Sequence, residues 1–176
     1  MSELRKAKGD GLYFVTLTVV GWIDIFSRKV YKDIIIENLQ HCQQKEGLEI
    51  FAYVIMSNHV HLLIRRTDND LGELLKRFKS YTSKKILTTI EESNQESRKD
   101  WLLYQFRFFA NQSNEYGKYH FWQYTNHPTY LYTNEVIDQK RNYIHKNPVR
   151  AGIVMNEEDY IYSSACEYSP LKVLDL

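Results

Sequence analysis

The stretch Met56-Ser57-Asn58-His59-Val60-His61-Leu62-Leu63-Ile64 decides how this chain is read. Ser57-Asn58 has the character of a tight two-residue turn, and the residues after it alternate as a strand does. Alternation puts His59 and His61 on one face and Val60 and Leu62 on the other, toward a core. Two imidazoles side by side on a rigid strand can hold one metal ion. On its own, though, such a pair is more often a surface or satisfied polar pair than a metal site. A second stretch far downstream, Tyr143-Ile144-His145-Lys146-Asn147-Pro148, bears on the choice.

Around the histidines the pattern predicts a run of alternating strands and helices. Residues 12–20 are aromatic and β-branched, a first strand punctuated by Gly21. Ile35, Leu39 and Cys42 fall at helical spacing, which predicts a helix over 32–45 stopped by Gly47. Residues 48–56 and 59–65 read as a hairpin across Ser57-Asn58. Asp68 to Asp70 supply helix-start signals, and Leu71, Leu74, Leu75 and Phe78 begin an amphipathic helix that continues to Ile90. Residues 91–100 read as an exposed loop. Residues 102–109 and 119–124 are strand candidates, with a turn over 112–117 between them. Thr133-Asn134-Glu135 opens another helix, which Pro148 is expected to end. A last helix is predicted over 157–168.

Strand, helix, strand, strand, helix, strand is the order of a ferredoxin-like split βαβ unit. The predicted class is therefore α+β, an antiparallel sheet with helices on one face and the two histidines on the other. With no repeat, linker or low-complexity tract, 1–176 reads as a single domain. Its core spans about 12–150, with a C-terminal helical extension over 151–176.

Composition limits the function classes. Hydrophobic residues make up 43% and charged residues 26% of 176, the balance of a soluble globular chain. The formal net charge of +1 gives no global attraction to nucleic acid, so any basic footprint must be local. Cys42 and Cys166 fit neither a metal motif nor a disulfide framework and read as reduced thiols. No apolar run reaches the length of a membrane span and the first residues lack a secretory signal, so a cytoplasmic protein with no membrane partner is expected.

Tyr143 and Asn147 are four apart on a predicted helix and so share a face. Two arrangements satisfy that spacing. Tyr143 packs in the core and Asn147 caps the helix before Pro148; or the helix crosses the histidine strand. In the second case Asn147 adds an amide oxygen to the two imidazoles and Tyr143 stands beside the metal. Such a mixed set with open positions suits Mg²⁺ or Mn²⁺ better than a closed zinc site. His145, two residues from Tyr143, points away and reads as structural or DNA-facing.

These strings together resemble the REP-associated tyrosine transposases, of the HUH single-tyrosine transposase superfamily of bacterial insertion sequences. His59-Val60-His61 matches the His-hydrophobic-His signature, within Val54-Ile55-Met56-Ser57-Asn58-His59-Val60-His61-Leu62-Leu63. Tyr143-Ile144-His145-Lys146-Asn147-Pro148-Val149-Arg150-Ala151-Gly152 matches the tyrosine block. Phe121-Trp122-Gln123 and Asp159-Tyr160-Ile161-Tyr162-Ser163-Ser164-Ala165 follow in family order. A departure lies after Trp122-Gln123, where a basic residue is expected and Tyr124 stands. The resemblance implies that His59, His61 and Asn147 hold Mg²⁺ or Mn²⁺ and that Tyr143 is the nucleophile. It further implies cleavage and rejoining of single-stranded, hairpin or repeat DNA through a 5′-phosphotyrosine, by a monomer or homodimer.

Lys76, Arg77, Lys79, Lys84 and Lys85 crowd the second long helix without an acidic residue among them, interleaved with Phe78 and Tyr81. With Arg65 and Arg66 after the histidine strand they are candidate DNA contacts. Two other functions fit parts of the pattern. A domesticated protein would bind hairpin DNA without strand transfer, and a metal-dependent phosphohydrolase would turn over without a covalent adduct.

Overall fold

The computed structural model describes residues 11–66, 70–113, 117–126 and 128–176. The N-terminal ten residues, the expected helix-start residues 68 and 69, the centre of the expected 112–117 turn and His127 lie outside the described residues. Four strands, β1 (Tyr13–Thr18), β2 (Leu48–Ile55), β3 (His59–Arg66) and β4 (Thr129–Tyr130), form one sheet in the order β2-β3-β1-β4. Every pairing is antiparallel. This is the split βαβ arrangement that the element order predicts.

The helices are α1 (Lys29–Lys45), α2 (Leu71–Glu92), α3 (Lys99–Gln112) and α4 (Asn134–Arg150). Val15, Leu17, Val60 and Leu62 are fully excluded from solvent on the sheet face that α1 and α2 cover. Burying each such side chain stabilises the fold by about 1.5–3 kcal/mol, which fixes the register of β3 against a slip that would expose them. Asp70 caps α2 by accepting from the Glu73 amide at 2.9 Å. The opposite face does not stay open. There α4 crosses β2 and β3.

Four local expectations are corrected. Residues 102–109 are not a strand but part of α3, because Leu102, Phe106 and Ala110 recur every four residues and bury one stripe. Residues 119–124 form no strand; they give only the isolated bridge Val19↔Trp122, and the fourth strand is the shorter Thr129–Tyr130. Pro148 does not end α4. The helix runs on to Arg150 and closes with Gly152 at φ +69°, where the Gly152 and Ile153 amides donate to the Val149 and Pro148 carbonyls.

The C-terminal helical extension is the fourth. Over 157–168 only Glu157–Asp159 makes a helical turn. The tail instead runs along the free edge of β2. Ile55 N donates to Tyr162 O, Ser164 N to Tyr53 O, and Leu174 N to Ile50 O, at 2.8–3.0 Å. Edge-strand groups that would otherwise be unpaired are thereby covered.

Candidate functional site

The hairpin turn places the histidines. Met56 N donates to His59 O at 2.8 Å across Ser57-Asn58, and β3 then pairs Thr18 with His59 and Thr16 with His61. Both rings therefore emerge on the α4 face with centroids 4.6 Å apart. His61 is buried and stacks on Phe14 at 5.3 Å, while His59 is half-buried beside Trp22 at 5.9 Å.

Each imidazole uses its Nδ1 on the protein. His59 Nδ1 donates to Asn58 Oδ1 at 2.7 Å. The roles are fixed because Asn58 Nδ2 is committed elsewhere, donating to Trp22 O and Asp24 Oδ1 at 3.2 Å. His59 Nε2 consequently carries a lone pair. His61 Nδ1 lies 2.9 Å from the Thr16 hydroxyl, which can accept its N–H. His61 Nε2 is buried and has no hydrogen-bond partner. Burial, then the neighbouring His59 and Lys140, pushes the His61 imidazolium down to about 3, and burial lowers His59 as well. Two neutral imidazoles with free Nε2 atoms are what a cation requires of such ligands. The donor set fits a divalent ion in type and protonation.

No three His, Cys, Asp or Glu side chains converge among the described residues. Asn147 lies on α4 one turn beyond Tyr143, in the helix body rather than at a cap. Its Nδ2 donates to the Tyr143 carbonyl at 3.4 Å, and it hydrogen-bonds neither histidine.

Tyr143 does reach the pair. Its ring stands 5.3 Å from His61 and 5.9 Å from Phe14, edge-on to both, and the residue is 37% exposed. Two cations that the sequence reading passed over flank it: Lys140 Nζ at 5.8 Å and the Arg150 guanidinium at 5.4 Å from the ring centre. Their positions at −3 and +7 relative to Tyr143 were the available signal, since those spacings share a helical face. His145 points away, as expected, and bonds Ser164 Oγ at 2.9 Å. Ser164 Oγ also accepts the Tyr53 amide of β2, so this link ties α4 to the sheet edge.

The basic residues of α2 are not uniformly available. Lys79 turns inward, donating to Gln123 O at 2.6 Å and Asn126 Oδ1 at 2.9 Å, and so anchors the loop after α3. This cation from α2 stands beside the loop where the family pattern expects a basic residue. Arg77 is paired with Glu46, Lys76 with Glu73 at 3.7 Å, and Arg65 with Glu49 at 2.5 Å; Arg66 donates to Asp70 O. Lys84 and Lys85 are exposed. All five α2 residues stand on the layer across the sheet from α4.

The sheet thus presents two neutral histidines to the face of α4 that carries Tyr143. A family model described as "Transposase IS200 like" matches residues 22–119, and the chain belongs to that family. The matched span contains both histidines and ends before α4. Among solved structures, one described as "Structure of the REP associates tyrosine transposase bound to a REP hairpin" superposes with a TM-score of 0.65 at 17% identity. It covers 93% of this chain and 82% of that one. The two share a fold. No curated protein matches the chain.

Proposed function

We propose that this transposase-family chain is a single-stranded DNA endonuclease and strand transferase that works through a covalent 5′-phosphotyrosine at Tyr143, on hairpin or repeat DNA. The observation that carries this is the Tyr143 ring held 5.3 Å from His61, whose Nε2 is buried without a partner. His59 Nε2, His61 Nε2 and the Asn147 side-chain oxygen would hold Mg²⁺ or Mn²⁺. Bound there, the cation supplies Lewis-acid polarisation of the scissile phosphodiester.

The chain's own residues do the remainder. Lys140 and Arg150 place positive charge on either side of Tyr143, where the non-bridging phosphate oxygens would lie. The Tyr143 hydroxyl loses its proton as its oxygen attacks phosphorus; the bond to the 3′-oxygen breaks, and that oxygen gains one proton and leaves as a 3′-hydroxyl. The ester retained on Tyr143 conserves the bond energy. A second 3′-hydroxyl can then attack it and rejoin strands without a nucleotide triphosphate. Lys84 and Lys85 on α2 are the remaining candidates for backbone contacts away from the site.

The test is incubation with single-stranded DNA flanking the gene, with Mn²⁺ or with chelator, resolved on a denaturing gel. A protein–DNA adduct that needs the cation is expected. Tight hairpin binding with no adduct would mean a domesticated binder, and cleavage without an adduct would mean hydrolysis. Among the described residues no helix is long and apolar enough to cross a membrane.

A further inference from the structure

The turn that leaves β1 carries a residue that the fold does not explain. Gly21 and Trp22 both have positive φ, +60° and +54°, and Ile23 N donates to Val20 O at 3.3 Å. This is a type I′ turn, whose two central places favour Gly, Asn and Asp. Gly21 has a packing reason: a Cβ there would come within 2.5 Å of the Phe109 ring on α3. Trp22 has none. A bulky aromatic with φ above zero is a strained outlier, and the residue is 59% exposed, so little burial compensates it.

Its place is nevertheless tightly set. Trp22 N donates to Val19 O at 3.1 Å, and Trp22 O accepts from Asn58 Nδ2 at 3.2 Å. That same amide orients His59 through its Oδ1, so a single side chain fixes both the Trp22 backbone and the candidate metal ligand. The indole stands 5.9 Å from His59, its only aromatic neighbour among the described residues. An exposed, strained aromatic locked onto the rim of the histidine pair is built for a flat ligand that arrives with the substrate.

We propose that Trp22 is a base-stacking platform, on which the nucleobase next to the phosphate presented to Tyr143 lies flat. It rests on the strand-cleaving reading of the site. Stacking on an aromatic side chain tolerates any base, so Trp22 would position the scissile phosphate without choosing the sequence.

The experiment compares wild type with Trp22→Gly, which removes the indole and relieves the backbone, and with Trp22→Asn, which also tolerates the turn. Affinity for a fluorescent single-stranded oligonucleotide is measured, together with thermal unfolding. Both variants should melt at or above the wild-type temperature while losing affinity by roughly 5- to 150-fold, the range of one stacked base. An abasic residue beside the cleavage position should weaken the wild type to the same degree and leave the variants unaffected. Equal affinity of wild type and variants for intact DNA would overturn the stacking role and leave the strand-cleaving reading standing. Lower melting of both variants would also overturn it, by showing that the indole serves the fold. Failure of the wild type itself to bind or cleave single-stranded DNA would instead sink the reading on which the proposal rests.

Discussion

Two buried polar groups about Asp24 are built in opposite ways. Glu96, between α2 and α3, is almost wholly buried and saturated. Its Oε2 accepts from Arg28 Nε at 2.9 Å and the Tyr31 hydroxyl at 3.1 Å, and its Oε1 from the Arg98 amide and Nε at 3.1 and 3.2 Å. Burial alone would raise this carboxyl, but those donors outweigh it and hold it below the usual carboxylate range. Burial and the Glu96 contact push Tyr31 up to about 12. His61 is as deeply buried, yet its ring has one hydrogen bond, to Thr16, and a bare Nε2. Asp24 touches both systems, its carbonyl accepting from Arg98 and its carboxylate from Asn58. Glu96 is satisfied at both carboxylate oxygens, whereas the His61 ring keeps a buried nitrogen without a partner, and such an atom costs stability.

The sharpest break in this contrast is Tyr143→Phe. It keeps the ring contacts with Phe14 and His61, so stability should stay within about 0.5 kcal/mol while adduct formation falls below detection. Glu96→Gln should do the converse. It leaves two half-buried guanidinium groups facing a neutral amide and should cost roughly 2–3 kcal/mol in urea unfolding, less than a fully buried pair because the arginines are part-exposed. Adduct yield per folded molecule should not change. Asn58→Ala frees the His59 ring without touching a ligand atom. It should weaken Mn²⁺ binding about 10- to 100-fold by calorimetry. His61→Leu should abolish Mn²⁺ binding yet leave stability unchanged or raise it by about 1 kcal/mol, because an unsatisfied buried nitrogen is removed with its ring.

Acid titration separates the two regions by their windows. An imidazole whose folded value lies near 3 and whose unfolded value is about 6.5 contributes stability that is full above pH 6.5. That contribution is lost as pH falls from there toward 3, by roughly 1.4 kcal/mol per unit. The depressed Glu96 carboxyl contributes only above its unfolded value of about 4.3, and its share is lost below that. His61→Leu should therefore flatten the limb from pH 6.5 toward 3, and Glu96→Gln only the part of it below about 4.3.

The sheet was legible because β1, β2 and β3 are carried by local pattern, with one turn pair joining the last two. His59 and His61 came with it, since alternation alone puts them on one face. The fourth strand was not legible. Thr129–Tyr130 is two residues long and exists only by pairing with Tyr13 and Phe14. The tail was misread for the same reason, its backbone partners lying over a hundred residues away on β2. Residues 102–109 read as a strand candidate, whereas the spacing of Leu102, Phe106 and Ala110 was the better signal. Tyr143 and Asn147 were legible as a pair, but not Lys140, Arg150 or Trp22. These three gain their place only when α4 and the 19–26 turn fold against the histidines.

The central claim is that the open histidine pair serves a covalent step on Tyr143. Its most direct test is mass-spectrometric mapping of the peptide that carries DNA after reaction with Mn²⁺ and flanking single-stranded DNA. The expected result is a single modified peptide, bearing a 5′-phosphonucleotide on Tyr143 and absent when His61 is replaced by leucine. Modification of a different residue, or a Tyr143 adduct that forms equally without His61, would contradict it.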